Sequence, residues 1–501
     1  MKRTLCIVVV ALAAAFSTAA AQGGSVDIIR GRVTGPDGQP LANVTVNAQS
    51  LTDETTRSGR TGDDGRYTIL FAGGGGDYMM NFLSLGMMPV SFEVQKTNDD
   101  DAVVLANAKM ETAPTQLDAV RINGNRQRPL AGDANRPDIG GVEQTMNSRG
   151  IPIEALGDLS AMAAYLPGVT AIANADGTMG FSVLGLSADQ NNISLNGLTF
   201  GGTLPRDVQV TSRLSTTTFD VSRGGFSGGQ ISASTFGGSN YINRTLHVTF
   251  DNPALQWADP TTRSLGQQYA NVIASGSASG PIIWNKLFYN TSFQLGRRSS
   301  DLQTLLNTDP SALERVGISR DSVNQLLGYM LGAGIPASVS GVPSNSLNDQ
   351  AALFTQMSFS PSATNTWGLL FNGSWNRTGA ASLSTSAVPA HGARSTRQSG
   401  TVQLSHAGYF GYGFLDETSM SMSATASNAD GYLLLPDARV RVTSTFADGT
   451  SGVSTLQFGG NSSYPQQSTN YQWQMSNATS WFTDDNDHRL KLTEDLQVSR
   501  Y

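Results

Sequence analysis

From Tyr241 onward the chain alternates apolar and polar residues with a period of two. Leu246, Val248 and Phe250 oppose Thr245, His247 and Thr249. Leu287, Tyr289, Phe293 and Leu295 oppose Asn290, Ser292 and Gln294, and Leu353, Met357 and Phe359 oppose Gln356, Ser358 and Ser360. Met420, Met422, Ala424 and Ala426 likewise oppose Ser419, Ser421, Ser423 and Thr425. This spacing predicts strands with one apolar and one small polar face. The linking loops alternate between short and long, and the longest, Arg297 to Asn348, carries a helical pattern from Ala312 to Met330 after Asp309-Pro310-Ser311. Upstream, Ile153 to Tyr165 predicts a short helix stopped by Pro167-Gly168. Ile193-Ser194-Leu195, then Asn196-Gly197, then Leu198-Thr199-Phe200 predicts a two-residue hairpin with its four apolar side chains on one face. Farther upstream, Ile29, Gly31 and Val33, then Val44 and Val46, then Tyr67, Ile69 and Phe71 alternate between the turn clusters Gly35-Pro36-Asp37-Gly38 and Asp63-Asp64-Gly65, a small β-sandwich pattern.

The spacing of tryptophans narrows what the long strands are. Trp367 and Trp375 share a face, and Trp473 and Trp481 repeat the interval. Eight residues at ~3.3 Å each span ~26 Å along a strand, or ~20 Å along the normal at ~40° tilt, near the separation of the two aromatic girdles of a transmembrane barrel. Apolar side chains would then face lipid and polar ones water. Glu494, on the same face as Leu490, Leu492, Leu496 and Val498, must sit near an interface.

Composition supports the same class. The chain has 501 residues, enough for about three units, with only 14% charged residues and 54 glycines. The net charge of −7 argues against nucleic acid. Met1-Lys2-Arg3, the apolar run Leu5 to Phe16 and Ala19-Ala20-Ala21 form a secretory signal pattern, too short to span a bilayer. The single cysteine, Cys6, lies inside that signal, so the mature chain is expected to have neither disulfides nor thiolate chemistry.

No catalytic or metal constellation emerges. His247, His391, His406 and His488 are scattered, without the close His/Glu set of a zinc peptidase. Asp99-Asp100-Asp101 lacks the alternating spacing of a calcium loop, and no Gly-Lys-Ser/Thr follows Gly73 to Gly76. Gly225-Phe226-Ser227-Gly228-Gly229 matches a hydrolase nucleophile pattern, but the alternation of Gln230 to Thr235 predicts a strand where an elbow needs a helix. The expectation is no enzyme, no cofactor and no metal.

The block GRVTGPDGQPLANVTV…RTGDDGRYTI resembles the carboxypeptidase regulatory-like domain, a transthyretin-like sandwich with a carbohydrate-binding-like fold. Leu166-Pro167-Gly168-Val169, Val183-Leu184-Gly185, Leu195-Asn196-Gly197 and Val221-Ser222-Arg223-Gly224-Gly225-Phe226-Ser227-Gly228-Gly229-Gln230 resemble the plug of TonB-dependent outer-membrane receptors, the last run its Oar-like branch. Leu184-Gly185 and Asn196-Gly197 stand where that family often has Arg-Gly and Asp-Gly. The resemblance implies a mainly β chain: signal 1–21, sandwich 22–106, linker 107–150, small α+β plug 151–240, and about half of an antiparallel transmembrane β-barrel over 241–501.

The same resemblance implies a cell outer membrane location and uptake of an extracellular ligand, energised by a TonB-like periplasmic protein. The candidate TonB box is Leu117, Asp118, Ala119, Val120, Arg121 and Ile122, an apolar alternation in a polar linker that could add as a strand to the partner's sheet, the alternatives being a last sandwich strand or plain linker. Asn174, Asp176, Asp189, Gln190, Asn191 and Asn192, in two polar turns, are candidate ligand contacts at the plug apices. Without Arg or Lys clusters they favour a neutral ligand, glycan or peptide, over an anionic iron chelate. The alternative is a non-transporting adhesive or structural surface protein using the sandwich for glycan binding. Residues 241–501 allow about ten strands at ~25 residues each, whereas the family closes with about 22. Tyr501 is out of phase with Leu490 to Val498, so the chain is expected to be the N-terminal part of a longer receptor.

Overall fold

The structure, a computed structural model, describes residues 26–52, 54–72, 77–95, 103–112, 143–146, 151, 155–173, 179–216, 226–235, 237–255, 268–411, 413–483 and 489–500. The signal pattern therefore lies outside the described residues. The chain is mainly β, in three packed parts.

The first part is a sandwich. One sheet holds β1 (Val26–Thr34) between β4 (Arg66–Ala72) and β7 (Val103–Leu105), with β8 (Ala108–Lys109) also on β1. The other runs β3 (Thr56–Arg60), β2 (Thr45–Ser50), β5 (Asp77–Leu83), β6 (Val90–Gln95). The alternating residues close the core between them: Ile29, Val33, Val44, Val46, Ile69, Met80 and Phe82 are fully buried. Gly31 cannot carry a side chain, because a Cβ there would run into the carbonyl of Ala106.

The second part, an inner domain, has a five-stranded sheet in the order β13 (Leu198–Thr199), β12 (Asn192–Leu195), β15 (Gln230–Thr235), β14 (Val210–Ser215), β9 (Glu143–Met146). A hairpin of β10 (Val169–Ala173) and β11 (Met179–Val183) and a short helix, α1 (Leu159–Ala163), pack against it. The Asn-Gly hairpin forms as its pattern dictates. Asn196 and Gly197 take φ of 50° and 83°, Leu195 faces Leu198, and Phe200 donates its amide to Ile193. The helix is shorter than the run Ile153 to Tyr165 implies. Gly157 sits at φ 93° against the Leu204 carbonyl, which breaks helical geometry, and Asp158 restarts it as N-cap by accepting from the amides of Ser160 and Ala161.

The third part is a nine-stranded antiparallel sheet in sequence order: β16 (Asn243–Asp251), β17 (Tyr269–Ile283), β18 (Leu287–Asp301), β19 (Asn345–Ser362), β20 (Asn365–Ala381), β21 (Ala393–Phe410), β22 (Phe414–Gly431), β25 (Gln466–Phe482) and β26 (Arg489–Arg500). The alternation survives intact. Leu246, Leu295, Leu353, Leu369, Val402, Met422 and Trp473 are exposed on one face. The inward face is not lined by water, as a purely polar lining would imply; Ser292, Asn372, Gln403 and Ser419 are buried because the inner domain fills the concave side. Phe354 and Leu370 point inward too and belong to that domain's apolar core.

Connections at one end are short, residues 284–286, 363–364, 411–413 and 483–488. At the other end they are long, and they fold. Helices α2 (Pro310–Arg315) and α3 (Arg320–Gly332) and the hairpin of β23 (Asp437–Thr445) and β24 (Ser451–Gly459) share an apolar core of Leu305, Leu313, Ile318, Val323, Leu326, Met330 and Leu456. The single helical pattern from Ala312 to Met330 is split at Gly317, whose φ of 79° ends the first helix, and Ser319 caps the second.

Asp158 gives a test of the α1 cap. Burial raises its pKa above the ordinary carboxylate value, against the two amide hydrogen bonds that lower it. A folded pKa above the unfolded one means the charge opposes folding, so the protonated Asp158 is most favourable at acid pH and that stability is lost as pH rises through the folded pKa. Asp158→Asn, an equal cap without charge, is expected to match or exceed wild type in urea titration at pH 7 and to lose that advantage near pH 3. Asp158→Ala should cost about 1 kcal/mol.

Candidate functional site

Strand direction places the candidate turns. After β15, Gly237 approaches Ser358, and Asn240 hydrogen-bonds Asn285 in a short turn, Nδ2 to Oδ1 at 2.6 Å. The end of β15 at Gln230 therefore points away from the short-turn rim. β12 runs parallel beside it, Asn192 opposite Gln230, so Asp189 to Asn192 lie at that same remote end.

The four residues there differ in role. Asp189 and Gln190 are exposed in a single 3-10 turn, Ala188–Gln190, and Asp189 accepts from the Ser187 hydroxyl. The Gln190 carbonyl accepts from the amides of Ser227 at 2.9 Å and Gly228 at 3.1 Å, drawing the glycine-rich segment alongside. Asn191 is a tie: its Nδ2 donates to the carbonyls of Phe181 (2.8 Å) and Ser187 (3.0 Å), and its Oδ1 accepts from Gly229 (2.8 Å). Asn192 is half-buried in the strand and donates its amide to the Gly229 carbonyl at 3.0 Å. Gly228 must be glycine because a Cβ would collide with the Asn191 Oδ1. Leu184, 77% exposed, and Leu186 stand beside this polar turn. The free surface is thus Asp189, Gln190, Ser227 and two leucines, whereas Asn191 and Asn192 are engaged by the fold.

Asn174 and Asp176, and the alternation Leu117 to Ile122, lie outside the described residues. Ser227 precedes strand β15, not a helix. Among the described residues no group of three His, Cys, Asp or Glu side chains could hold a metal ion.

What the sequence reading missed is the seam between inner domain and sheet. It is a series of long amides reaching from the sheet to backbone groups. Gln403 Nε2 donates to the Leu195 carbonyl at 3.1 Å, and Asn372 Nδ2 to the Thr203 carbonyl at 3.2 Å. Gln474 Oε1 accepts from the Thr199 amide at 2.9 Å, and Gln294 Oε1 from the Arg206 amide at 3.1 Å. His247 Nδ1 meets Asp207 Oδ1 at 2.8 Å on β16. These contacts reach from the first strand of the sheet to its eighth, β25, so the sheet must curve around the inner domain. The signal was present: inward parity combined with Gln and Asn rather than Ser.

The outer face has edges as well. Leu287, Phe359 and Trp367 are register neighbours on β18, β19 and β20, and ten residues along the first of these Arg297, Asp349 and Arg377 are neighbours on the same strands. Arg297 and Asp349 form a two-bond ion pair at 2.6 and 3.1 Å. Between the rows the outward residues include Phe293, Leu295, Leu353, Met357, Leu369 and Phe371, all exposed. Trp367 also packs on His406, ring centroids 4.2 Å apart.

The carboxypeptidase regulatory-like domain model matches residues 28–111, the sandwich. No curated protein matches the chain. Among solved structures, the outer membrane transporter YddB from Escherichia coli is similar at 12% identity and TM-score 0.44, over 68% of this chain and 45% of that one. BauA, the ferric preacinetobactin receptor from Acinetobacter baumannii, is similar at 10% identity and TM-score 0.40, over 72% and 57%. The chain spans about half the length of these two. A smaller likeness, TM-score 0.15 at 13% identity, joins 18% of the chain to 61% of 3-chlorocatechol 1,2-dioxygenase from Rhodococcus opacus 1CP. No helix among the described residues is long and apolar enough to cross a membrane, which leaves strands open as the crossing element.

The tie and the free surface should separate in mutants. Asn191→Ala removes three hydrogen bonds at ~0.5–1.5 kcal/mol each and is expected to destabilise the inner domain by about 2–3 kcal/mol in urea titration. Gln190→Ala, whose side chain is exposed, should stay within ~0.5 kcal/mol.

Proposed function

We propose that this chain is part of an outer-membrane receptor and transporter, its curved sheet lying in lipid and its inner domain acting as the plug. The carrying observation is the outer face: an apolar surface between an aromatic row and a charged row, with a polar face turned to a domain held inside. From Leu287 to Leu295 that surface extends ~26 Å along the strand, a bilayer-sized height once the strands tilt. Water would penalise so large an apolar face, and lipid favours it. The long folded loops then face outward from the cell, and the short turns and the sandwich face the periplasm.

In this reading ligand meets the loop cap and the plug apex, where Asp189, Gln190 and Ser227 offer hydrogen bonds beside Leu184 and Leu186. Among the described residues the apex turn Ser187 to Asn192 holds no Arg or Lys, which favours a neutral glycan or peptide. Energy enters through a TonB-like partner gripping Leu117 to Ile122 by strand addition. The reading includes no catalytic step. A non-transporting adhesin would use the same outer face but would have no use for the alternation at Leu117 to Ile122.

Two experiments bear on this. Phe371→Arg places a charge midway up the outer face and should cost about 2–4 kcal/mol in bilayers, seen as loss of folded protein from the outer-membrane density fraction. If the face met water, the same change would leave the yield unchanged or raise it. Val120→Pro should lower capture by the periplasmic partner in a pull-down, because it removes a backbone donor, while the urea transition of the plug stays in place.

A further inference from the structure

The sandwich covers the short-connection end of the curved sheet and contacts described residues at or beside each of its four short connections. Val26, Ile28, Leu70 and Val103 form one buried cluster with Ala407, Tyr409, Leu415 and Phe482, near the ends of β21, β22 and β25. At the other two turns, the Leu70 amide donates to the Ala363 carbonyl at 2.7 Å and the Thr56 amide to Asn285 Oδ1 at 3.2 Å.

Two arginines of the sandwich are buried in this contact. Arg30, fully buried, donates to the Thr483 carbonyl at 2.5 Å and to the Tyr409 hydroxyl at 3.3 Å, and lies 5.7 Å from the Phe482 ring centroid. Arg57, 8% exposed, donates to Thr366 Oγ1 at 3.2 Å and to Ser360 Oγ at the foot of β19 and β20. Behind Arg57 lies a cavity of about 230 Å³ bounded by all three parts of the molecule: Arg57 and Phe71 from the sandwich, Gln209 and Ser239 from the inner domain and its exit, Ser279 and Asn290 from the sheet.

Buried guanidinium groups held by hydrogen bonds fix an orientation at little net gain, since separation returns them to water. Apolar contact alone would hold the sandwich tightly and without a defined angle; arginines on this rim make the contact specific and reversible. We propose that the sandwich is the periplasm-side gate of the barrel. It is latched shut by Arg30 and Arg57 and must leave the rim before any ligand can leave the cavity. The direction of opening rests on the transport reading; the closure itself does not.

The test measures closure without ligand or energy. Cys6 lies in the expected signal, so Ser279→Cys gives the mature protein one thiol, inside the cavity. Purified protein in detergent is treated with a water-soluble biotin maleimide. Labelling should be slow with the latch intact and at least tenfold faster in Arg30→Ala/Arg57→Ala. Ala363→Arg, which wedges the rim from the sheet side and leaves the sandwich sequence unaltered, should accelerate it likewise. Hydrogen exchange over β1, β2 and β5 must stay protected in at least one of these variants, which separates release from unfolding. Equal labelling rates in latched and unlatched proteins, with that protection kept, would overturn the gate. Loss of outer-membrane fractionation in the Phe371→Arg experiment reports on the transport reading alone, and fast labelling of the latched protein on the gate alone.

Discussion

Everything in this molecule depends on keeping the two faces of one antiparallel ladder distinct. Side chains alternate across a strand, so a slip of one residue in any pairing would turn Leu353 or Leu369 inward and Gln356 or Asn372 outward. Register is fixed from both sides at once. Outside, Leu287, Phe359 and Trp367 align in one row and Arg297, Asp349 and Arg377 in another. Inside, the amides of Gln294, Asn372, Gln403 and Gln474 each find a backbone group of the inner domain. The inner domain is therefore a template for the sheet as much as its cargo.

That mutual dependence accounts for the composition. An interior of Ser, Thr, Asn and Gln can be buried only if each polar group is met. The inner domain meets four of the sheet's amides with its own backbone, at the ends of β12 and β13 and along the loop 200–209, where carbonyls and amides are not spent on sheet pairing. The seam is polar and directional, so it positions the domain without welding it in place. Two inward apolar residues, Phe354 and Leu370, join the inner domain's core and supply a small anchor there.

Period two was the most legible feature of the sequence, because Leu246, Val248 and Phe250 on β16 and Leu353, Met357 and Phe359 on β19 all lie exposed on one face. The Asn-Gly hairpin was as clear, since the turn and the alternation demand the same register. Helix extents were not: whether Ile153 to Tyr165 continues or breaks is decided by Gly157 meeting the Leu204 carbonyl, a contact 47 residues away that no local pattern carries. Strand β9 was hidden in a polar stretch whose four residues are too few to show a period. At the candidate site, polarity pointed to Asp189 through Asn192 as a group, but it could not separate the exposed Asp189 and Gln190 from Asn191, whose three bonds all go to segments distant in sequence or in the turn.

The long loops carry a different lesson. Leu456 of the β23–β24 hairpin shares a core with Leu305, Leu313 and Val323, and the Val388 amide is held by the Gln457 carbonyl at 3.0 Å. Three separate insertions have thus become one small folded body with its own interior. Transplanting a single loop onto another scaffold would strip it of half its packing. A change in the shape of this surface must then arise through compensating substitutions in several insertions together, so its evolution is concerted rather than modular.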